Sequence, residues 1–86
     1  MNSPIEIERM KINQIDGSII KLLDMRFNVV KTILEIKKQN QMQIFQASRE
    51  QEVLKRVSSQ SNNPKFTCEV FRIIMQQSRK FQEEIK

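Results

Sequence analysis

Two cationic residues, Arg26 and Lys37, stand 11 positions apart in a stretch with strong helical periodicity. Eleven residues are close to three helical turns, so both cations lie on nearly the same helix face, about 16 Å apart along its axis. Arg26 also occupies one position of a seven-residue apolar series, where a charge is costly unless an anion meets it. Long side chains that lean toward each other from these positions would bracket a small anion. The spacing therefore predicts an anion-binding site on this helix.

Further along the chain, polar residues occur in two more groups that suit ligand recognition. Arg49 and Glu50 place a cation and a hydrogen-bond acceptor side by side at the predicted start of a second helix. Ser78 and Gln82 are four positions apart near the end of a third helix and therefore share one face. Neutral hydrogen-bonding groups on an apolar face indicate recognition of a polar ligand. A solvent-facing position is the alternative interpretation for all four residues.

Arg9 stands 17 positions before Arg26 on the same predicted helix. The two arginines are therefore about 25 Å apart along the axis and about 100° apart around it. Within one chain they do not reach the same small ligand. An antiparallel helix of a partner subunit would bring Arg9 of one chain to the Arg26 site of the other.

The composition excludes several kinds of chemistry at such a site. The chain contains no histidine and one cysteine, Cys68. An internal disulfide, the usual Cys/His metal sites and a Cys–His nucleophilic pair are therefore excluded. We expect no metal ion and no cofactor.

A long apolar register from Ile5 to Lys37 predicts the helix that carries the first cations. Residues 3–6, Ser-Pro-Ile-Glu, match a capping box with proline at the first helical position. Gly17 is expected inside the helix, at a cost of about 1 kcal/mol relative to alanine, because the apolar phase continues through it. The pattern fades over residues 38–41, which gives a helix of about 34 residues and about 50 Å.

Two shorter helices are predicted after this one. The second opens at Gln46 or Ser48 and ends in the serine-rich stretch 58–61, and Asn63 with Pro64 begins the third. We therefore expect an all-α fold with one long, one short and one medium helix, in a single domain that spans residues 1–86. A compact chain of this length is roughly 30 Å across, so the long helix would overhang its own domain. Its apolar stripe runs to both ends, and we expect a second copy to cover it in a two-fold dimer.

Taken together, the spacings resemble those of the all-helical chorismate mutases of the AroQ class. From about residue 5 to residue 82, the resemblance is carried by Arg9, Ile15-Asp16, Leu22-Leu23, Arg26, Lys37, Arg49-Glu50, Ser78 and Gln82. It implies an intertwined homodimeric helical bundle whose two active sites are each completed by an arginine of the other chain. It also implies an isomerase of phenylalanine and tyrosine biosynthesis, which converts chorismate to prephenate by an intramolecular Claisen rearrangement.

The resemblance further implies a role for each matching residue. Arg26 and Arg9 of the partner subunit would each hold one substrate carboxylate, and Lys37 would contact a carboxylate and the ether oxygen. Gln82 would donate to the same ether oxygen, and Glu50 would accept from the ring hydroxyl. The remaining pair, Ser78 and Arg49, would orient and support the bound dianion.

The chain departs from the family in the segment between the first two helices. The family commonly has proline at position 43 and aspartate at position 46, where this chain has Gln43 and Gln46. That aspartate stands at the entry to the second helix, so its replacement leaves the helix cap to another residue. Ser48 is the predicted substitute.

The net charge of +5 favours an anionic partner, but the cations are spread along the chain and no aromatic stacking platform accompanies them. We therefore predict no nucleic-acid ligand. The N-terminus shows no signal-peptide pattern and no apolar run is long enough for a bilayer, so we expect no membrane association and a cytoplasmic location. Two alternative functions are an isochorismate-pyruvate lyase, which lacks the glutamate that corresponds to Glu50, and a non-enzymatic basic helical dimer that binds nucleic acid or a partner helix.

Overall fold

A computed structural model describes residues 3–86, in which three α-helices follow one another along the chain. They are α1 (Pro4–Gln39), α2 (Ala47–Gln60) and α3 (Pro64–Ile85). Within residues 3–86 the chain forms no strand, so the predicted all-α class with a long, a short and a medium helix is confirmed. The first two positions of the predicted domain 1–86 lie outside the described residues.

The ends of α1 follow from local sequence signals. The Ser3 hydroxyl accepts a hydrogen bond from the Glu6 backbone N–H at 3.3 Å, and proline occupies the first turn, so the predicted start is confirmed. Gly17 lies inside the uninterrupted helix, as predicted. At the other end, the Asn40 side chain donates to the Ile36 carbonyl at 2.8 Å, and Gln41 turns the chain with a φ of 55°. The helix has 36 residues, slightly more than the apolar pattern predicts.

Helix α1 carries two apolar faces. One face packs on α3: Val30 and Leu34 are buried, and the Phe27 ring meets Phe81 edge-on with centroids 5.1 Å apart. The other face is the series that the sequence pattern picks out, and we call it the outer stripe: Ile5, Ile12, Ile15, Ile19, Leu22, Val29, Ile33 and Ile36. Its side chains are 40–62% exposed in the single chain. The described chain measures 58 × 26 × 15 Å along its principal axes, because α1 extends beyond the two shorter helices. The homodimer that would cover the outer stripe remains a prediction.

Helices α2 and α3 pack on each other around a small apolar core. Val53 and Val57 of α2 are buried against Met75 of α3, with Cys68 and Phe71 at the edge of the cluster. Helix α3 therefore reaches both other helices. This central position lets α3 bring its polar residues to a space that α1 and α2 also border.

The start of α2 differs in part from the sequence prediction. Gln46 is the N-cap residue, as one of the two predicted options, but its amide donates to the Gln43 carbonyl at 2.7 Å instead of capping the helix. Ser48 is the second residue of α2, so the prediction that Ser48 supplies the cap is wrong. A cap residue must lie just before the helix with non-helical backbone angles, and residue 48 is already helical.

Candidate functional site

A cavity of about 310 Å³ lies between the three helices and the connector, residues 40–46. Apolar side chains from all three helices and the connector form part of its wall, and eight polar or charged side chains line the rest: Arg26, Lys37, Gln46, Arg49, Glu50, Ser78, Arg79 and Gln82. Four of these are cations and one is a carboxylate, so the cavity is positively charged. A cationic cavity of this size that also has apolar wall residues suits a small organic anion.

Arg26 reaches the cavity from α1 and meets Ser78 of α3. The guanidinium Nη1 donates to the Ser78 Oγ at 2.5 Å, while that hydroxyl donates to the Ile74 carbonyl at 2.8 Å. Ser78 is 8% exposed, which shows that α3 turns this polar side chain inward. Because a guanidinium has five N–H donors, Arg26 keeps further donors for a ligand.

About three turns further along α1, Lys37 forms a connected pair with Gln82 of α3. The Lys37 Nζ donates to the Ile44 carbonyl at 2.6 Å and to the Gln82 Oε1 at 3.4 Å. The Gln82 Nε2 donates to the Val30 carbonyl at 3.0 Å, and Gln82 is 4% exposed. An ammonium has three donors and a primary amide has two, so Lys37 and Gln82 each keep one donor for a ligand.

The electrostatic environment disfavours the cations in the free protein. Burial lowers the pKa of Arg26, nearby Arg49 and Arg56 lower it further, and Glu50 acts in the opposite direction. Burial also lowers the pKa of Lys37, against a smaller raising effect of Glu50. Excess positive charge at a partly buried site is stabilised when an anion binds there.

Glu50 is held by a residue that the sequence interpretation missed. The Arg79 Nη1 donates to both carboxylate oxygens of Glu50, in an ion pair that links α3 to the first turn of α2. The Arg79 guanidinium also lies over the Phe45 ring, with its carbon 4.9 Å from the ring centroid. Arg79 and Glu50 are 29 positions apart, so no local sequence signal indicates the pair.

Six of the seven residues selected from the sequence line this one cavity: Arg26, Lys37, Arg49, Glu50, Ser78 and Gln82. Arg49 stands at its rim and is paired with Glu52 at 3.7 Å. Arg9 does not line the cavity. It lies in the N-terminal part of α1, where its 64% exposed side chain pairs with Glu6 at 2.9 Å.

Two further findings concern other kinds of site. Among residues 3–86, the His, Cys, Asp and Glu side chains form no group of three or more that is arranged to hold a metal ion. None of the helices in that range combines the length and apolar character that crossing a lipid bilayer requires.

Comparisons with known proteins agree with this architecture. A sequence profile of the family described as chorismate mutase type II matches residues 8–83. The chain is also similar to a solved structure of a conserved hypothetical protein from Pyrococcus furiosus, at 32% identity and a TM-score of 0.79, over 95% of this chain and 99% of that chain. A comparison with curated proteins gives no significant match. Because the family profile spans nearly the whole chain, including every residue of the cavity, this protein belongs to the chorismate mutase type II family.

Proposed function

We propose that this protein is a chorismate mutase, a single-domain isomerase that converts chorismate to prephenate in phenylalanine and tyrosine biosynthesis. One observation carries the proposal beyond family membership. Arg26, Lys37 and Gln82 converge on one small cavity, and each keeps a hydrogen-bond donor that the protein itself does not use. Free donors around a cationic cavity with some apolar wall residues are what a dicarboxylic ether substrate requires.

The reaction needs neither a proton carrier nor a nucleophile. In the intramolecular Claisen rearrangement, a C–O bond breaks and a C–C bond forms within one molecule, with no covalent enzyme intermediate. The protein contributes by holding the extended substrate in its folded, reactive conformer and by stabilising negative charge that develops on the ether oxygen. A site that lacks histidine is sufficient for both tasks.

The clamp on the two carboxylates requires guanidinium groups at both ends of the substrate. Arg26 would bind one carboxylate from within the chain, since its guanidinium is held at a fixed position by Ser78. Arg49 at the cavity rim would add positive charge to the same dianion. The second carboxylate would be bound by Arg9 of the partner subunit in a homodimer, because Arg9 of the same chain lies far along α1.

Lys37 and Gln82 would stabilise the ether oxygen. They contact each other through the Lys37 Nζ and the Gln82 Oε1, so the ammonium and the amide lie side by side in the cavity. A donor pair that is already in place gains strength as charge develops in the transition state, and this differential binding lowers the barrier. The apolar residues that line the cavity, among them Val30 and Met75, lower the local polarity and strengthen both interactions.

Glu50 would accept a hydrogen bond from the ring hydroxyl of chorismate. Its carboxylate lines the same cavity as Lys37 and contributes to the electrostatic environment there. The related isochorismate-pyruvate lyases lack a glutamate at this position, so Glu50 favours the mutase over the lyase.

The test is to supply chorismate and isochorismate separately to the purified protein and to identify the products by chromatography. We expect chorismate to yield prephenate, with little pyruvate from either compound. Arg26→Met should abolish most of the conversion, whereas Lys31→Met, which removes an exposed cation from the same helix, should not. Pyruvate with an aromatic acid as the main product would contradict the mutase proposal. Salt-sensitive binding of nucleic acid without turnover would instead indicate the non-enzymatic alternative.

A further inference from the structure

Arg79 is a charged residue of the cavity for which the proposed mechanism has no role. Its guanidinium is held on one side by both carboxylate oxygens of Glu50 and on the other by the Phe45 ring. The two side chains of the ion pair are 32% and 23% exposed, respectively. Arg79 therefore joins α3, the start of α2 and the connector at one point.

This ion pair differs from the others in the described part of the chain. The remaining pairs within residues 3–86 each join residues three positions apart along the chain, in a helix or at its end. Such exposed pairs contribute little to stability. The Arg79–Glu50 pair connects two helices, is half-buried and lies at the edge of the candidate site, so its geometry bears on the cavity itself.

The ion pair with Arg79 keeps the Glu50 carboxylate from pairing with the other cations of the cavity. A lone carboxylate in this cavity attracts the nearby cations Arg26 and Lys37, and it partly opposes the lowering of their pKa values by burial. If Glu50 turned toward Lys37, it would occupy the donor that the ether oxygen needs. A carboxylate has about four lone-pair positions, so Glu50 bound to Arg79 still has capacity to accept from a hydroxyl.

Phe45 completes the arrangement by limiting where the Arg79 guanidinium can lie. A guanidinium stacked on an aromatic ring loses little more freedom when it forms an ion pair, so the carboxylate is presented in one orientation. Lysine in the same place would keep the charge but not the planar guanidinium over the Phe45 ring.

We propose that Arg79 is a positioning residue that holds the Glu50 carboxylate toward the substrate ring hydroxyl and away from Lys37, and so sets specificity for that hydroxyl. The proposal rests on the proposed mutase function. The Arg79–Glu50 pair then discriminates between chorismate and ring compounds whose hydroxyl is absent or differently placed. Arg79 itself does not contact substrate.

The test is a double-mutant cycle with Arg79→Met, Glu50→Gln and the combined variant, measured on chorismate and on an analogue without the ring hydroxyl. A charge-assisted hydrogen bond to substrate justifies an expected loss in kcat/KM of about tenfold for Arg79→Met on chorismate. In the Glu50→Gln background the same change should have little further effect, because the two residues act as one unit. On the analogue, Arg79→Met should behave like the wild type.

Two matched variants separate positioning from charge and from folding. Arg72→Met removes the same charge from α3 at an exposed ion pair with Glu69, and should leave kcat/KM unchanged. Arg79→Lys should lose part of the activity, since it keeps the charge but loses the planar group that lies over the Phe45 ring. Far-UV circular dichroism and thermal unfolding are measured for every variant. If Arg79→Met does not fold, Arg79→Lys takes its place in the cycle, with a smaller loss on chorismate that should again disappear in the Glu50→Gln background.

Equal losses in both backgrounds, or an equal loss on the analogue, would overturn the positioning role while leaving the mutase proposal intact. Failure of the wild type to convert chorismate would overturn both proposals. The wild-type reaction on chorismate therefore distinguishes the two kinds of failure.

Discussion

The Arg26 guanidinium donates to the Ser78 hydroxyl across the contact between α1 and α3, with 2.5 Å between Nη1 and Oγ. A partly buried cation thus meets a neutral oxygen, and burial together with Arg49 and Arg56 lowers its pKa. The free protein therefore maintains an unfavourable charge at the place where a substrate carboxylate would bind. Sites that bind charged ligands commonly sacrifice stability in this way.

Replacing Arg26 by methionine should separate activity from stability. We expect kcat/KM on chorismate to fall at least about 100-fold, because a charged contact with the substrate is lost. The melting temperature should stay the same or rise, since an unfavourable charge is removed and Ser78 still donates to Ile74. Thermal unfolding and steady-state kinetics measure the two effects. A marked fall in melting temperature would show that Arg26 is structural instead.

Lys37 should make the stability of the free protein depend on pH in the alkaline range. Its pKa is lowered from 10.5, so between the lowered value and 10.5 the unfolded state binds more protons than the folded state. The free energy of unfolding therefore rises with pH across this window. Urea unfolding at several pH values just below 10.5 should show a smaller rise for Lys37→Met than for the wild type or Lys31→Met. Equal slopes for all three proteins would contradict the prediction.

Gln82→Glu should restrict catalytic activity to acidic pH. An ionised carboxylate at this buried position would accept from Lys37, lose the donation to the Val30 carbonyl and repel the developing charge on the ether oxygen. We expect kcat at about pH 8 to fall about 100-fold, in line with the loss of one donor at such a site, and to recover as the carboxylate is protonated. Gln76→Glu, an exposed change on the same helix, is the control. Full activity of the variant at pH 8 would exclude the proposed donor role.

Arg9 and Arg26 should complement each other between subunits. If Arg9 of one chain completes the Arg26 site of the other, Arg9→Ala and Arg26→Ala are each inactive alone. Co-refolding equal amounts would give about half mixed dimers, each with one intact site, and hence about a quarter of the wild-type activity. Refolding each variant alone is the control. If the mixture remained inactive while mixed dimers formed, Arg9 would have no role across the interface.

The outer stripe of α1 should be the contact between the two copies. Ile19, which is 47% exposed in the single chain, lies in this stripe, and a charge buried there costs several kcal/mol. We expect the wild type to have the mass of two chains and Ile19→Glu to have the 10.3 kDa mass of one chain. The variant should also lose activity. Light scattering after size-exclusion chromatography measures the masses. Gln14→Glu makes the same charge change at another exposed position of α1 and should remain dimeric.

The amino-acid sequence by itself determined the helices and most of the candidate site. The start of α1 depends on Ser3 and Pro4, and α3 begins at Pro64, because capping and proline geometry act within one turn. The cavity cations of α1 share a face because helical periodicity alone aligns positions 11 residues apart. Local rules were therefore enough for these elements.

Only the tertiary structure decided which apolar face of α1 packs within its own chain and which residue holds Glu50. Both faces of α1 are apolar, and it is the position of α3 that buries Val30 and Leu34 and leaves the outer stripe exposed. The Arg79–Glu50 pair likewise exists because α2 and α3 pack on each other, and no spacing along the chain encodes a contact over 29 positions. Contacts between helices depend on how whole helices pack, and this is a property of the assembled fold rather than of any segment.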